Sequence, residues 1–301
     1  MSVKNTKEKI LLKAIEEYKN VINVLKKESK KNYFHAQKSL GHAYLNLSET
    51  KDKEKNLDYA IQALKEALQG YTLEENAIEH VEILKELALA HGSLDNIEMA
   101  LYFFEKVLTI TPHDDEVWYN RAIDLGNLGR FEEAVLSYDK AIEIKPDNYE
   151  AWFNRAFDLG NLGRFEEAVL SYDKAIEIKP EDEEAWINRG LALGNLERHE
   201  EALSSFEKAI EIKPDNEIAW VNKGIALSYL KKHDEALSSF EKAIEIKPDN
   251  EEAWYNKGVS LDYLGRYEMA FSSFKKALEL KPDYEDAKNI LMDYEQKINK
   301  N

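Results

Sequence analysis

Cysteine is absent from the 301 residues, and the chain contains only six prolines and twelve glycines. The absence of cysteine excludes disulfides, thiolate metal sites and cysteine nucleophiles, and it is compatible with a reducing compartment. Long apolar runs are also missing, and charges interrupt the apolar residues of the N-terminal segment MSVKNTKEKILLKAIEEYK. We therefore predict neither a secretory signal nor membrane insertion, and we expect a cytoplasmic location.

Acidic residues outnumber basic ones by 58 to 41, which gives a formal net charge of −17 and a pI near 5.0. Nucleic-acid affinity comes largely from Lys and Arg, which release counterions when they bind phosphates. The charge balance therefore argues against nucleic acid as a partner. It favours partners that are neutral or basic.

A fixed step of 34 residues organises most of the chain. A period in this range indicates stacked supersecondary units, because each unit is too small to bury its own apolar face. One continuous array therefore fits the chain better than two globular domains. The residues that mark the step are Trp118, Trp152, Trp186, Trp220, Trp254, Pro146, Pro180, Pro214, Pro248 and Pro282.

The segment 149–182 illustrates the unit, and we number its residues from position 1 at Tyr149. Its apolar spacing predicts a helix A over 149–162, which ends where Gly163 takes the left-handed conformation. A second apolar period then predicts a helix B from Phe165 to the residues before Pro180. Asp147 and Glu150 have the spacing of a capping box for helix A.

Several positions are matched jointly in five consecutive units: Trp at 4, a small residue at 8, Leu at 11, Ala at 20, Tyr or Phe at 24, Ala at 27 and Pro at 32. This pattern resembles the tetratricopeptide repeat. The resemblance implies an all-α fold, a right-handed superhelical solenoid of antiparallel helix pairs. It also implies that the A helices line a concave groove that binds protein partners.

The resemblance extends over nearly the whole chain and predicts four segments. Residues 1–31 are expected to form an N-terminal helix or half repeat, and residues 32–114 two divergent repeats. The first divergent repeat is widened by an insertion around SETKDKEKN, either a longer loop or an extra turn of each helix. Residues 115–284 contain the five regular units, and residues 285–301 a C-terminal capping helix.

Helical periodicity separates two faces of helix A. At about 100° per residue, positions 4, 7, 8, 11 and 14 share a sector, and we predict that Trp152, Ala156, Leu159 and Leu162 form the core there. The opposite sector holds positions 2, 5, 6, 9, 12 and 13, which the resemblance assigns to the groove. The predicted peptide-binding residues are Asn120, Asn154, Asn188, Asn222, Asn256, Tyr119, Phe153, Ile187, Tyr255, Phe157, Asn127, Asn161, Asn195, Tyr229 and Tyr263.

Asn stands at position 6 in all five units. Its amide offers one acceptor and two donors, which suits pairing with a peptide bond whatever the side chain of that peptide. Alternatively, duplication copied these residues, or they bond between adjacent helices. The apolar residues at positions 5 and 9 also have two interpretations: they contact a ligand, or they pack between repeats.

Position 2 is Glu in four of the five units and Ile218 in the other. By resemblance, chaperone-binding arrays hold an acidic tail with basic residues at positions 2 and 6, but a rim of Glu repels a terminal carboxylate. We therefore expect an extended partner that is neutral to basic. At position 7, a column of Arg and Lys is expected to pair with acidic neighbours such as Asp124 and Asp158 rather than with a ligand.

Nothing in the sequence assembles a reaction centre. The seven histidines are scattered, and His199 and His233 replace phenylalanine at position 17, which is a weak metal signal. The segment GNLGR is an inter-helix turn rather than a phosphate-binding loop. We expect a non-enzymatic scaffold with no catalytic residue, metal or cofactor. The alternative is a structural array that self-assembles into homo-oligomers.

Overall fold

The computed structural model describes residues 3–298, where every regular element is an α-helix. The chain forms two compact units, Met1–Ala151 and Trp152–Asn301. The all-α class predicted from the repeat is confirmed, whereas the superhelical hand stays a prediction. The described helices are α1 Val3–Glu28, α2 Lys30–Ser48, α3 Lys53–Leu68, α4 Ala77–Gly92, α5 Ile97–Ile110, α6 Asp115–Asn127, α7 Phe131–Ile144, α8 Tyr149–Asn161, α9 Phe165–Ile178, α10 Glu183–Asn195, α11 His199–Ile212, α12 Glu217–Tyr229, α13 His233–Ile246, α14 Glu251–Tyr263, α15 Tyr267–Leu280 and α16 Glu285–Ile298.

Residues next to each helix determine where the helices of the regular repeats begin and end. Gly163 has a φ of +71°, the left-handed conformation expected between α8 and α9. The capping residue of α8 differs from the expectation: the side chain of Asn148, not Asp147, accepts from the Ala151 N–H at 3.0 Å. Helix α8 begins at Tyr149, so the residue just before it is the one placed to cap the free N–H groups.

The core of helix A is rotated relative to the predicted sector. Position 11 is fully buried, as expected, and so is position 8, but Trp152 and Leu162 are only half-buried. The indole of Trp186 instead donates from Nε1 to the Pro180 carbonyl at 2.9 Å, which holds the ring at the edge of the repeat. Position 3 is buried in all five units, and position 10 is buried in every unit except the first, where Asp124 is half-buried.

Small residues allow the helices of a pair to approach. A Cβ added at Gly190 would lie 2.5 Å from the ring of Phe206, and Gly224 and Gly258 stand in the same relation to Phe240 and Phe274. The predicted small-residue contact at position 8 is therefore a direct contact between helices A and B. Atoms this close leave no room for a methyl group.

The divergent N-terminal region lengthens its helices rather than its inter-helix loop. The connection inside SETKDKEKN spans only residues 49–52, whereas α2 has 19 residues and α3 has 16. His91, at the aromatic position of α4, is buried and stacks on Phe103 at 5.7 Å. Burial and then the charge of Lys65 lower the pKa of His91.

The last helix covers the end of the array. Ala287 and Leu291 of α16 are buried, and Tyr294 packs against the cluster formed by Phe274 and its neighbours. The Tyr294 hydroxyl also donates to Asp262 of α14. This helix therefore closes the apolar side of α15, as a terminal helix must in a repeat array.

Candidate functional site

The side chains at positions 9 and 13 form an exposed face of the A helices that contains both apolar and polar residues. Phe157 is 55% exposed, and Tyr229 and Tyr263 are 66% and 71% exposed. The predicted Asn127, Asn161 and Asn195 at position 13 are exposed as well. These side chains are accessible to a ligand in the way that the helical period predicts.

Position 5 faces inward instead. Ile187 is 6% exposed and Val221 is 3% exposed, so Ile187 differs from the expectation that it lines an open surface. The rings of Phe153 and Tyr119 contact the position-24 tyrosine of their own repeat, with centroids 5.7 and 6.0 Å apart. The physical reason is that position 5 flanks the buried sector, where its side chain packs on helix B.

The asparagines at position 6 lie half-buried on helix A. The amide of Asn222 donates to the Ile218 carbonyl at 2.9 Å, and that of Asn256 donates to the Glu252 carbonyl at 3.0 Å. Each bond uses one N–H, so the side-chain oxygen and the second N–H of these amides remain able to bond a peptide. Asn120, Asn154 and Asn188 occupy the corresponding half-buried sites of their repeats.

Two pockets open between successive A helices of the second compact unit. The pocket between α10 and α12 has a volume of about 230 Å³, and the pocket between α12 and α14 has about 690 Å³. Both are lined by position 6 of the later helix and by positions 9 and 13 of both helices. The lining residues at these positions are Leu191, Asn195, Asn222, Ile225 and Tyr229 in the first pocket, and Ile225, Tyr229, Asn256, Val259 and Tyr263 in the second.

A histidine–tyrosine stack forms one wall of each pocket. His199 lies 4.5 Å from Tyr229, with 6° between the ring planes, and His233 lies 4.5 Å from Tyr263, with 3° between them. Each pair joins position 17 of one repeat to position 13 of the next. The sequence contains a signal for these stacks: Tyr appears at position 13 only where the preceding repeat has His at position 17. The signal is visible only when positions of successive repeats are compared, not when each position is considered alone.

The basic column at position 7 has a structural role, but its partners differ from the expected ones. Arg189 donates to Asp173 at 2.6 Å, and Lys223 and Lys257 each lie 3.0 Å from a glutamate. These acidic residues stand at position 25 of the preceding helix B, so each pair ties neighbouring repeats together. The cation also lies over the position-4 indole, as Lys257 does over Trp254 at 5.4 Å.

Asp124 and Asp158, the partners expected for that column, stand at position 10, where Asp124 is half-buried and Asp158 is buried. Asp158 is 5% exposed, and its Oδ2 has no hydrogen-bond partner. Burial raises the pKa of both carboxyl groups from 3.8 to about 6. They lie on the buried side of helix A, away from positions 9 and 13.

Residues 3–298 contain neither a cluster of metal ligands nor a membrane-spanning helix. No group of three potential metal-ligating side chains occurs in that range. None of the helices described there combines the length and the apolar composition that crossing a bilayer requires.

Comparisons with known proteins agree with this geometry. Family models described as tetratricopeptide repeat match residues 116–148, 183–216, 218–250, 251–284 and 137–169, and a model described as TPR repeat matches residues 161–197. None of the curated proteins compared matches the chain.

Solved structures are similar over more than half of the chain. A crystal structure of YrrB, described as a TPR protein with an unusual peptide-binding site, is 27% identical, with a TM-score of 0.55 over 62% of this chain and 96% of that one. MamA from Desulfovibrio magneticus RS-1 is 21% identical, with a TM-score of 0.53 over 56% and 96%. A tetratricopeptide repeat protein from Parabacteroides merdae is 19% identical, with a TM-score of 0.55 over 84% and 97%. The last two likenesses concern the fold alone.

Proposed function

Because the chain belongs to the tetratricopeptide repeat family, whose members generally mediate protein–protein interaction, we propose that it binds an extended segment of a partner protein on its A helices. The surface we propose is the face of α10, α12 and α14 formed by positions 6, 9 and 13. The observation that carries the proposal is the recurrence of one pocket lining in two adjoining pockets. A repeated lining suits a ligand that itself repeats, such as a peptide backbone.

The spacing of the asparagines supports the same surface. Packed helices lie roughly 8–10 Å apart, and an extended chain advances about 3.3 Å per residue. One Asn at position 6 therefore meets about every third residue of a bound segment. The remaining amide groups of Asn222 and Asn256 would bond the peptide backbone, while positions 9 and 13 contact its side chains.

The proposed partner is a protein or peptide that is neutral to basic, and the proposed role is that of a non-enzymatic scaffold. Glu184 and Glu252 at position 2 are exposed beside this face, and they favour a positively charged ligand. The net charge of −17 disfavours nucleic acid in the same way. A cytoplasmic location remains part of the proposal.

Selection from a displayed library of random peptides tests this function. We expect the selected peptides to lose about tenfold in affinity for an Asn222→Ala, Asn256→Ala double variant, because two hydrogen bonds of about 0.5–1.5 kcal/mol each are removed. A Ser204→Ala, Ser272→Ala double variant is the matched control, since both serines are exposed on B helices. Equal affinity for the folded Asn variant and the control would overturn the proposal.

Self-association is a second candidate function, favoured by exposed apolar residues on the B helices. At position 22, Leu136 and Leu170 are each 64% exposed and Tyr102 is 49% exposed, whereas later repeats have Ser there. Exposed apolar residues that recur at one position are typical of an interaction surface. Light scattering over a concentration series, on wild type and on Leu136→Ser, Leu170→Ser, tests this; a wild-type monomer at every concentration contradicts it.

A further inference from the structure

The larger pocket, between α12 and α14, differs from its neighbour in its aromatic content. Four tyrosines line it, Tyr229, Tyr255, Tyr263 and Tyr284, around a floor formed by Ile225 and Val259. The rings of Tyr255 and Tyr284 lie 4.9 Å apart with 32° between their planes, and so form one wall. The Tyr263 ring, stacked on His233, forms another.

Acidic side chains surround the wall formed by Tyr255 and Tyr284. Glu252 lines the pocket, is exposed, and has no ion-pair partner among the described residues. Burial and then the charge of Glu252 raise the pKa of Tyr284 to about 12, and Asp286 adds to this effect. Burial and then Asp286 likewise raise the pKa of Tyr255. Glu252 and Asp286 therefore place negative charge near these rings, while Lys231 also lines the pocket.

One of these rings, that of Tyr284, already accepts a cation within the chain. The ammonium group of Lys281 lies 5.2 Å from the centroid of the Tyr284 ring. Aromatic faces attract Lys and Arg through the ring quadrupole, and a nearby carboxylate strengthens that attraction. Tyrosine faces and an unpaired carboxylate around an open pocket are the groups that a guanidinium or ammonium ion prefers.

We propose that this pocket receives an arginine or lysine side chain of the bound segment, with the cation against Tyr255 and Tyr263 and its charge paired with Glu252. The aliphatic stem would lie on Ile225 and Val259. The inference rests on the binding surface proposed above and adds a specificity pocket to it. The pocket between α10 and α12 has Leu191 and Asn195 at positions 9 and 13 and a single tyrosine, so it lacks this selectivity.

A pair of blocked pentapeptides tests the pocket on the full chain. One is acetyl-Ala-Ala-Arg-Ala-Ala-amide, and the other replaces arginine by citrulline, which has nearly the same shape but no charge. Titrations are followed by NMR of ring-labelled tyrosines and of side-chain amides. We expect the arginine peptide to shift the Tyr255 and Tyr263 signals and to bind about fivefold more tightly than the citrulline peptide.

Substitution of the Glu252 carboxylate gives a second readout. Because Glu252→Gln removes the charge and keeps the size of an exposed side chain, the pocket should stay folded. We expect Glu252→Gln to lower affinity for the arginine peptide severalfold and to leave the citrulline peptide unchanged. Glu268→Gln, exposed on α15, is the matched control and should change neither.

The outcomes separate this inference from the proposed function. Equal binding of both peptides, with shifts of the Asn222 and Asn256 amides, overturns the cation pocket and leaves the binding surface intact. Preference for arginine with no effect of the Asn222→Ala, Asn256→Ala variant supports the pocket and counts against backbone binding by the position-6 asparagines. No shift from either peptide at millimolar concentration overturns the pocket, while the library selection still tests the surface.

Discussion

The two repeats at residues 115–182 and the three at residues 183–284 follow the same 34-residue plan with different residues. The early pair has Ala at position 8 and Tyr at 24, where the late three have Gly and Phe. The early pair also has Asp at position 10, half-buried in Asp124 and buried in Asp158, where later repeats have Ala or Ser. At position 13 the early pair has Asn, whereas the last two repeats have Tyr. The residues at positions 8, 10 and 24 therefore change together between the early and the late repeats.

The exposed positions change for another reason. Tyr229 and Tyr263 are 66% and 71% exposed, so the core does not require them. They stack on the histidines that also distinguish the late repeats, and each stack forms the wall of a pocket. The comparison therefore shows that the late repeats keep the shared helical plan and differ on the exposed face that we propose binds a partner.

The largest expected effect concerns position 8 of the late repeats. In Gly224→Ala, the new methyl group would lie 2.6 Å from the Phe240 ring, so we expect overpacking to lower the free energy of unfolding by about 1–3 kcal/mol. Gly194→Ala is the control, because nothing lies within 4 Å of its Cβ. The control should gain up to about 1 kcal/mol from helix propensity. Denaturant unfolding measures both, and equal stabilities would contradict the packing argument.

A smaller effect is expected when an early repeat is given a late residue at position 10. Asp158→Ala removes a buried carboxyl group whose pKa is raised by burial to about 6. Since the folded state holds that proton to a higher pH than the unfolded state, wild type loses stability as pH rises from 3.8 through about 6. The variant should be more stable than wild type by about 1–2 kcal/mol near pH 8, and by less near pH 4.

Asp158→Asn serves as the control for that pH dependence. It keeps a polar group at the site but cannot ionise, so its stability should lack the part of the loss between pH 3.8 and about 6 that Asp158 contributes, while the part from Asp124 remains. Thermal unfolding at several pH values measures the three proteins. A stability difference between wild type and Asp158→Ala that stays constant with pH would contradict the account.

The smallest effect is expected in the turn between helices. Gly129 and Gly163 have φ values of +72° and +71°, whereas Glu197 takes a φ of +58° at the same position in the first late repeat. Glu197→Gly should therefore stabilise the protein by about 0.5–1 kcal/mol, because a left-handed conformation strains residues with a Cβ. Gly163→Glu is the reverse change and should destabilise. Thermal unfolding checks both, and a loss of stability in Glu197→Gly would count against this explanation.

The repeat plan could be predicted from the sequence because helix breaks and apolar periods are local. Gly163 and Pro180 marked the ends of α8 and α9 to within one or two residues. The rotation of the core could not be predicted in the same way. The indole of Trp186 bonds the Pro180 carbonyl, a contact that depends on the path of the loop, so the helical period alone placed position 4 too deep in the core.

The exposure of the proposed binding surface was predicted in part. Exposure at positions 9 and 13 follows from the helical period, but Ile187 lies close enough to the buried sector to pack inward. The stacks of His199 on Tyr229 and of His233 on Tyr263 join residues of different repeats. Their contact depends on how one repeat is offset from the next, which a single-unit pattern does not specify.

The most direct test gives the late repeats the early residue at position 13. Tyr229→Asn, Tyr263→Asn removes two exposed rings that the core does not need, so the fold should be unchanged. We expect isothermal titration calorimetry with a library-selected peptide to show at least a tenfold loss of affinity, about 1.4 kcal/mol. An unchanged dissociation constant in the folded double variant would contradict the claim that the late A helices form the binding surface.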